Sequence, residues 1–340
     1  MSIFRFLFLA IATAMLSVAI SCSQTPTPGD NLTQSPGAGS SPAVTTVANQ
    51  TSGKAKININ TAILSDLDKL EAKLGVPALS NKIQASRPYG NPEDLVSKKV
   101  ISGEQFNQIK DLVTVQDVVL TGVAKDVDYM TKLGLMKGHL LVAKELLALQ
   151  KPKQAEPHIG HPVEEIYVDV ENQLNERNVK QFKDNLMSLQ DLVKSQPQNP
   201  KVATNFTASM QDVDTAIQAL PESLRQAPHF VLQVVNGLLD AANSEYRSAI
   251  ANGKVAAVIE YQDSLGFATY ANQLYKGLSS QMTKGNPEVY KALETSMAEL
   301  TKTWPTPTAP ATPVKTPEQV SQLIKKIEQN SQKVVKTSNT

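Results

Sequence analysis

The chain has 340 residues, of which 41% are hydrophobic and 5% aromatic, and its formal net charge is +1. This length is enough for two compact domains with linkers, and the near-neutral charge excludes a strong global field that would attract nucleic acid or an anionic membrane. Cys22 is the single cysteine, which excludes a disulfide framework and a cysteine-rich metal site. Binding must therefore come from local groups of residues.

The N-terminus has the order of features found in a secretory signal. Arg5 precedes an apolar stretch that is too short for a typical membrane-spanning helix. Residues 19–22, Ala-Ile-Ser-Cys, then resemble the lipobox of bacterial lipoproteins, in which a peptidase cuts before a diacylated cysteine. We therefore expect residues 1–21 to be a signal peptide and Cys22 to carry a lipid anchor on a membrane, facing the periplasm or the exterior. The alternative is an ordinary secretory signal with an incidental cysteine.

Three further segments follow along the chain. Residues 22–53 are rich in Ser, Thr, Pro and Gly and lack apolar periodicity, which predicts a disordered tether. Residues 54–116 contain short helical patterns separated by turns, and residues 117–340 contain long helical patterns divided by tight turns. The predicted fold class is all-α, with a small helical domain followed by an α-helical bundle built from long helical hairpins.

The motifs of residues 54–116 occur in a recognisable order. Ile57-Asn58-Ile59-Asn60-Thr61-Ala62 is followed by Arg87-Pro88-Tyr89, Glu93-Asp94-Leu95 and Ile109-Lys110-Asp111-Leu112. This set resembles the helix-hairpin-helix domain of the competence protein ComEA, and also the cyanobacterial photosystem protein PsbU, which shares that fold. The ComEA likeness implies weak, sequence-independent binding of double-stranded DNA, whereas the PsbU likeness implies a structural domain or an envelope protein partner.

DNA-binding members of this family have glycine-rich hairpins, which let amides at the next helix N-terminus bind a phosphate. The first hairpin keeps one glycine but has Pro77 where a second is usual, and the turn of the second hairpin has none. If the domain binds DNA, the expected phosphate contacts are Lys73, Gly75, Lys82, Lys98 and Lys99.

Three of the four histidines lie close together in the second part of the chain. His139 falls on the apolar face of a predicted helix from Asp126 to Gln150. A second predicted helix, from Lys153 to Glu176, carries His161 and Glu165 four residues apart, so that they share a face.

If these helices fold back about Pro152, His139, His161 and Glu165 should converge, with His158 as a further ligand or a supporting residue. Two histidines and a carboxylate suit a divalent transition metal such as zinc, iron or copper. The alternative is that these residues are buried polar groups that satisfy one another. Residues 117–340 also resemble an uncharacterised family of helical envelope proteins and, more loosely, the imelysin-type proteins of iron uptake.

Two other patterns complete the prediction. Glu245 and Glu260 should lie level across the turn at Asn252-Gly253, where a solvated or salt-bridged pair is favoured over a metal or acid–base role. Gly134 and Gly138 should permit close helix packing. No Ser-His-Asp pattern, phosphate loop or HExxH motif occurs. We therefore expect no enzyme and no small-molecule substrate, but a lipid-anchored binding protein or, alternatively, a metal-binding or metal-sensing bundle.

Overall fold

A computed structural model describes residues 56–62, 64–117 and 119–337. The predicted signal peptide, the tether and the lipidated Cys22 lie outside the described residues. The described part is all-α apart from two pairs of two-residue strands, which confirms the predicted fold class. Within it, no helix combines the length and the hydrophobicity that crossing a bilayer requires.

The N-terminal module, residues 56–117, has a small core of its own. A parallel pairing of β1 with β2 brings its two ends together, and Leu67, Leu79 and Leu95 are fully buried inside it. Its elements are β1 (Ile57–Asn58), α1 (Leu64–Leu74), α2 (Leu79–Ala85), α3 (Asp94–Ser97), α4 (Gly103–Ile109) and β2 (Val113–Thr114).

The bundle follows with one long helix and a series of shorter ones. These are α5 (Gly122–Ala148), α6 (Pro152–Ala155), α7 (Pro157–His161), a π-helical turn (Pro162–Ile166), α8 (Tyr167–Glu176), α9 (Lys183–Ser195) and α10 (Lys201–Gln218). The second half contains α11 (Glu222–Gln226), α12 (Pro228–Ala249), β3 (Ile250–Ala251), β4 (Lys254–Val255), α13 (Val258–Gly277), α14 (Ser279–Gly285), α15 (Pro287–Thr301) and α16 (Pro317–Thr337).

Helix α5 lies at the centre of the bundle. From Leu133 to Leu140 every one of its side chains is buried, as expected for a helix covered on all sides. It packs against α13 and α12, which form an antiparallel pair joined by the β3–β4 hairpin, and α16 packs on α12 and α15. Helix α1 of the N-terminal module also packs on α12, so that the module closes one side of the bundle.

The segment after α5 is not the single helix that we predicted. Each of its prolines lacks an amide hydrogen and cannot donate a hydrogen bond to the preceding turn. The chain therefore divides at Pro157 and Pro162, and the second proline begins the π-helical turn, which inserts extra backbone. This irregular stretch holds both His158 and His161 against α5 and α13.

Helices α5 and α13 approach each other closely at a pair of glycines. A Cβ atom built on Gly266 would overlap the backbone carbonyl of Gly138, and one built on Gly138 would lie 2.8 Å from Cδ1 of Phe267. The close packing predicted for Gly138 is confirmed. The contact places the next residue of α5, His139, beside Asp263, one turn before Gly266 on α13.

Replacing Gly266 by alanine should therefore destabilise the fold by about 1–3 kcal/mol, because overpacking forces the two backbones apart. Gly277→Ala is the matched control on the same helix, since a Cβ there meets no atom within 4 Å; it should be neutral or slightly stabilising. Denaturant unfolding measures both changes. Equal stability of Gly266→Ala and the wild type would contradict the close contact.

Candidate metal centre

A buried carboxylate lies among three histidines at the centre of the bundle. Oδ1 of Asp263 is 2.6 Å from Nδ1 of His139 and 2.7 Å from Nδ1 of His158. Its other oxygen, Oδ2, is 3.5 Å from Nδ1 of His161. The side chain of Asp263 is 5% exposed, so these contacts replace almost all of its hydration.

Gln262 fixes the orientation of the His158 ring. The amide nitrogen of Gln262 donates to the carbonyl of Pro307 at 2.8 Å and to Oε1 of Gln154 at 3.1 Å. Its amide oxygen therefore faces Nε2 of His158, at 2.9 Å, and accepts a hydrogen bond from it. Nδ1 of His158 then faces a carboxylate oxygen, and this contact is attractive only if a proton or a metal ion lies between them.

His139 has one ring nitrogen without a partner. Its Nδ1 donates to Asp263, while Nε2 is buried and makes no hydrogen bond within the described part of the chain. Phe267 packs edge-on against the ring with a centroid separation of 4.8 Å. A buried polar atom without a partner costs free energy. The free Nε2 also means that no hydrogen bond holds the ring from this side.

These side chains border a cavity of about 370 Å³. His139, His161 and Asp263 line one part of it, and Glu165 lies in the same wall. The remaining acidic residues of the lining are Asp68, Glu71, Glu245 and Glu260. Of the described residues around the cavity, none is lysine or arginine, and the basic side chains of the lining are His139 and His161.

The electrostatics of the histidine cluster follow from burial and close pairing. Burial alone would raise the pKa of Asp263, but His139 and His158 hold it well below its ordinary value. Burial lowers the pKa of His139 despite the same carboxylate. Burial opposes protonation of His161 as well, yet Asp263 and Glu165 together raise its pKa to about 9. Asp263 is thus an anion held by its histidine neighbours.

Burial raises the pKa of three further carboxyl groups of the cavity. It raises the pKa of Asp68 to about 7; a hydrogen bond from Ser80 opposes this shift, and the negative charges of neighbouring carboxylates add to it. Burial also raises the pKa of Glu245 well above its ordinary value, with repulsion from Asp68 and Asp263 adding to the effect. The pKa of Glu165 is raised by burial too.

Three of the four residues predicted as metal ligands meet around Asp263. Among the described residues, the group that could hold an ion consists of His139, His158 and Asp263, whose donor atoms all lie within 4.8 Å of one another. His161 lies at the edge of this group, and Glu165 lies in the cavity wall outside it.

Sequence reasoning missed Asp263 as the centre of the site, because more than a hundred residues separate it from His139 and from His158. Glu245 and Glu260 do lie near each other across the turn. The solvated pair favoured for them is wrong for Glu245, which is 5% exposed. The sequence did not indicate that Asp68 lies in this cavity, because its position there depends on how the N-terminal module packs on the bundle.

The structure places the residues predicted to contact DNA on the N-terminal module. Gly75 does take the left-handed conformation of a turn, with a φ of 64°. The carboxylate of Glu71, however, already accepts hydrogen bonds from the amides of Ala78 and Ser80 at the start of α2. The amides that would bind a phosphate are therefore occupied by an acidic side chain.

The predicted lysines do not converge on those amides either. The Lys98 ammonium group donates to the carbonyls of Ser86 and Pro88 and lies 5.0 Å from the ring centroid of Tyr89. Lys73, Lys82 and Lys99 are exposed on the surface of the N-terminal module.

Part of the chain matches a known family model. Residues 221–338, just over a third of the chain, match a family model described as an iron permease-associated 4-helix bundle domain. No curated protein and no solved structure matches the chain. The matched segment contains α12, α13, α15 and α16, and it contributes Asp263, Glu245 and Glu260 to the cavity.

This match corrects the family predicted from the sequence. The identification as a ComEA-type, DNA-binding helix-hairpin-helix lipoprotein, with a likeness to PsbU, is wrong, because the match points to an iron permease-associated bundle. Within the segment for which an uncharacterised envelope family was expected, residues 221–338 match the iron permease-associated bundle instead. A metal-related role, which was the alternative prediction, is favoured over DNA binding.

The buried cluster predicts a large loss of stability for Asp263→Asn. Because the pKa of Asp263 is lowered in the folded protein, its ionised form contributes stability above the unfolded pKa of about 3.9, and this contribution is lost as pH falls through the folded value. At neutral pH the loss should be about 3–5 kcal/mol, since a buried charge pair is broken.

Denaturant unfolding with a chelator present measures this loss without any contribution from metal. Asp191→Asn, on the exposed side of α9, is the control and should change stability by less than about 0.5 kcal/mol. A comparably small effect of Asp263→Asn would show that the cluster does not carry the charge assigned to it.

Proposed function

We propose that this protein binds a divalent transition-metal ion, iron(II) in particular, at a centre formed by His139, His158 and Asp263. The observation that carries the proposal is the buried anionic carboxylate with two imidazole nitrogens directly against one of its oxygens. A proton shared at each contact holds the cluster together without metal. An ion that replaced those protons would satisfy the same donors.

The donor set matches the chemistry of iron(II). Two histidines and one carboxylate form the set that non-haem iron(II) centres use, with further positions left open. The set contains no thiolate, which disfavours softer ions. The match of residues 221–338 to an iron permease-associated bundle supports iron over zinc or copper.

The hydrogen bonds around the donors favour coordination. A metal-binding histidine commonly donates its second nitrogen to an oxygen acceptor, which fixes the ring and its tautomer, and His158 does so towards Gln262. No hydrogen bond at Nε2 resists a movement of His139. The two N···O separations need to widen only to about 3 Å, the spacing of adjacent ligands with metal bonds of about 2.1 Å.

His161 and Glu165 are proposed to complete the coordination from the cavity side. His161 is 29% exposed and already contacts Asp263 through Nδ1, while Glu165 interacts electrostatically with both residues. An ion that arrives through the cavity meets these side chains before it reaches the buried donors. The role that follows is capture and retention of iron, with the acidic cavity as the path of entry.

Purified protein treated with chelator should bind iron(II), added anaerobically, or zinc(II) as a stable probe, in a saturable manner. His139→Ala and His158→Ala should each weaken binding more than 100-fold, because each removes a direct ligand. Gln262→Leu should weaken it about 10- to 100-fold, since only the orientation of His158 is lost. Titration calorimetry measures the affinities.

The matched control is Glu164→Gln, which removes an exposed carboxylate next to Glu165 and should leave the affinity within about twofold. Affinity should also fall as the pH drops below about 9, because a proton then competes with the metal for His161, whose pKa is raised to about 9. Saturable binding that survives both His139→Ala and His158→Ala would place the metal elsewhere. Absence of binding to the folded wild type would refute the proposed function.

A further inference from the structure

The N-terminal module forms one wall of the cavity that borders the histidine centre. This wall consists of residues from α1 and from the beginning of α2, namely Leu64, Asp68, Glu71, Ala78, Ser80 and Asn81. The bundle supplies the rest of the lining, including His139, His161 and Asp263. If the module left this position, the cavity and these three side chains would be open to solvent.

The module and the bundle have separate apolar cores. The buried apolar side chains of the module lie between Ile59 and Val113, and those of the bundle lie between Tyr129 and Val335. Among the described residues, no apolar side chain belongs to both clusters. The two parts can therefore separate without breaking up either core.

Polar contacts hold the module against the bundle where α1 packs on α12. Nζ of Lys69 lies 3.8 Å from Oδ2 of Asp240, and Nε of Arg247 donates to the carbonyl of Ala72 at 3.2 Å. The side chains of Lys69 and Asp240 are each 31% exposed, so water weakens their attraction. Parts of a chain that meet through polar contacts of this kind can move relative to each other.

The module can move as a unit. Its two ends are tied together, since the amide of Ile57 donates to the carbonyl of Leu112 at 2.7 Å and that of Ile59 to the carbonyl of Thr114 at 2.9 Å. The chain then enters α5 at Gly122, which takes the left-handed conformation with a φ of 56°, a region that glycine adopts readily. A change of backbone angles at this junction would move the module and leave its core unaltered.

We infer that the N-terminal module is a lid over the metal centre, and that its undocking from α12 admits and releases the ion. The inference deepens the proposed function, because it concerns how the ion enters and leaves the same site. Among the described residues, the donor atoms of the centre all come from the bundle. The lid therefore controls the rates of binding and release and has little effect on affinity.

A charge reversal on the bundle side of the interface tests the lid. Asp240→Lys places a second cation beside Lys69, so the module should undock more often. With zinc(II) as the probe, transfer of the ion to excess chromophoric chelator, followed by stopped-flow absorbance, should become at least about tenfold faster. The dissociation constant from titration calorimetry should stay within about threefold, so the association rate should rise nearly as much as the release rate.

Two variants control for the change of charge. The double variant Asp240→Lys with Lys69→Asp restores opposite charges across the interface, and its release rate should return to within about threefold of the wild-type rate. Asp191→Lys makes the same change of charge on the exposed side of α9 and should leave the release rate unchanged.

Hydrogen exchange followed by mass spectrometry separates undocking from unfolding. In Asp240→Lys, exchange should quicken in α1 and α12 but not in α4, which packs in the core of the module through Phe106 and Ile109. If α4 also exchanges faster, the module of that variant is unfolded. Arg247→Gln, which removes the hydrogen bond to Ala72, then decides the test and should also speed release.

A release rate that is unchanged in both Asp240→Lys and Arg247→Gln would overturn the lid and leave the histidine centre intact. The lid would also be overturned if a loss of affinity accounted for the whole increase in release rate, because the module would then stabilise the bound ion. Failure of the folded wild type to bind zinc would refute the proposed function and the lid together.

Discussion

The buried carboxylate of Asp263 is the constraint on which the centre of this structure depends. An isolated carboxylate could not stay ionised at this depth, and here His139 and His158 hold it as an anion. Their positions in turn require the glycine contact between α5 and α13 and the proline-broken segment that carries His158. The irregular backbone thus has a function: it lets histidines from two segments reach one oxygen atom.

The cavity is lined by residues from inside and outside the segment that matches the family model. The bundle of residues 221–338 provides Asp263 and the acidic pair across the β3–β4 hairpin, whereas every histidine of the centre comes from the preceding segment. Asp68 comes from the N-terminal module.

The features that were predicted correctly from the sequence depend on the spacing of residues that are close together in the chain. The all-α class and the close packing at Gly138 follow from local patterns, and so does the burial of His139. Asp263 could not be found in this way, because more than a hundred residues separate it from His139 and only tertiary packing joins them. The DNA-binding interpretation rested on the order of motifs in residues 54–116, and the family match of residues 221–338 favours a metal-related role instead.

The position of the bound ion is the most direct test of the central claim. Crystals of the iron- or zinc-loaded protein should give one strong anomalous peak within about 2.0–2.2 Å of a ring nitrogen of His139, a ring nitrogen of His158 and a carboxylate oxygen of Asp263. A metal peak remote from these three residues, or none in protein loaded to saturation, would contradict it.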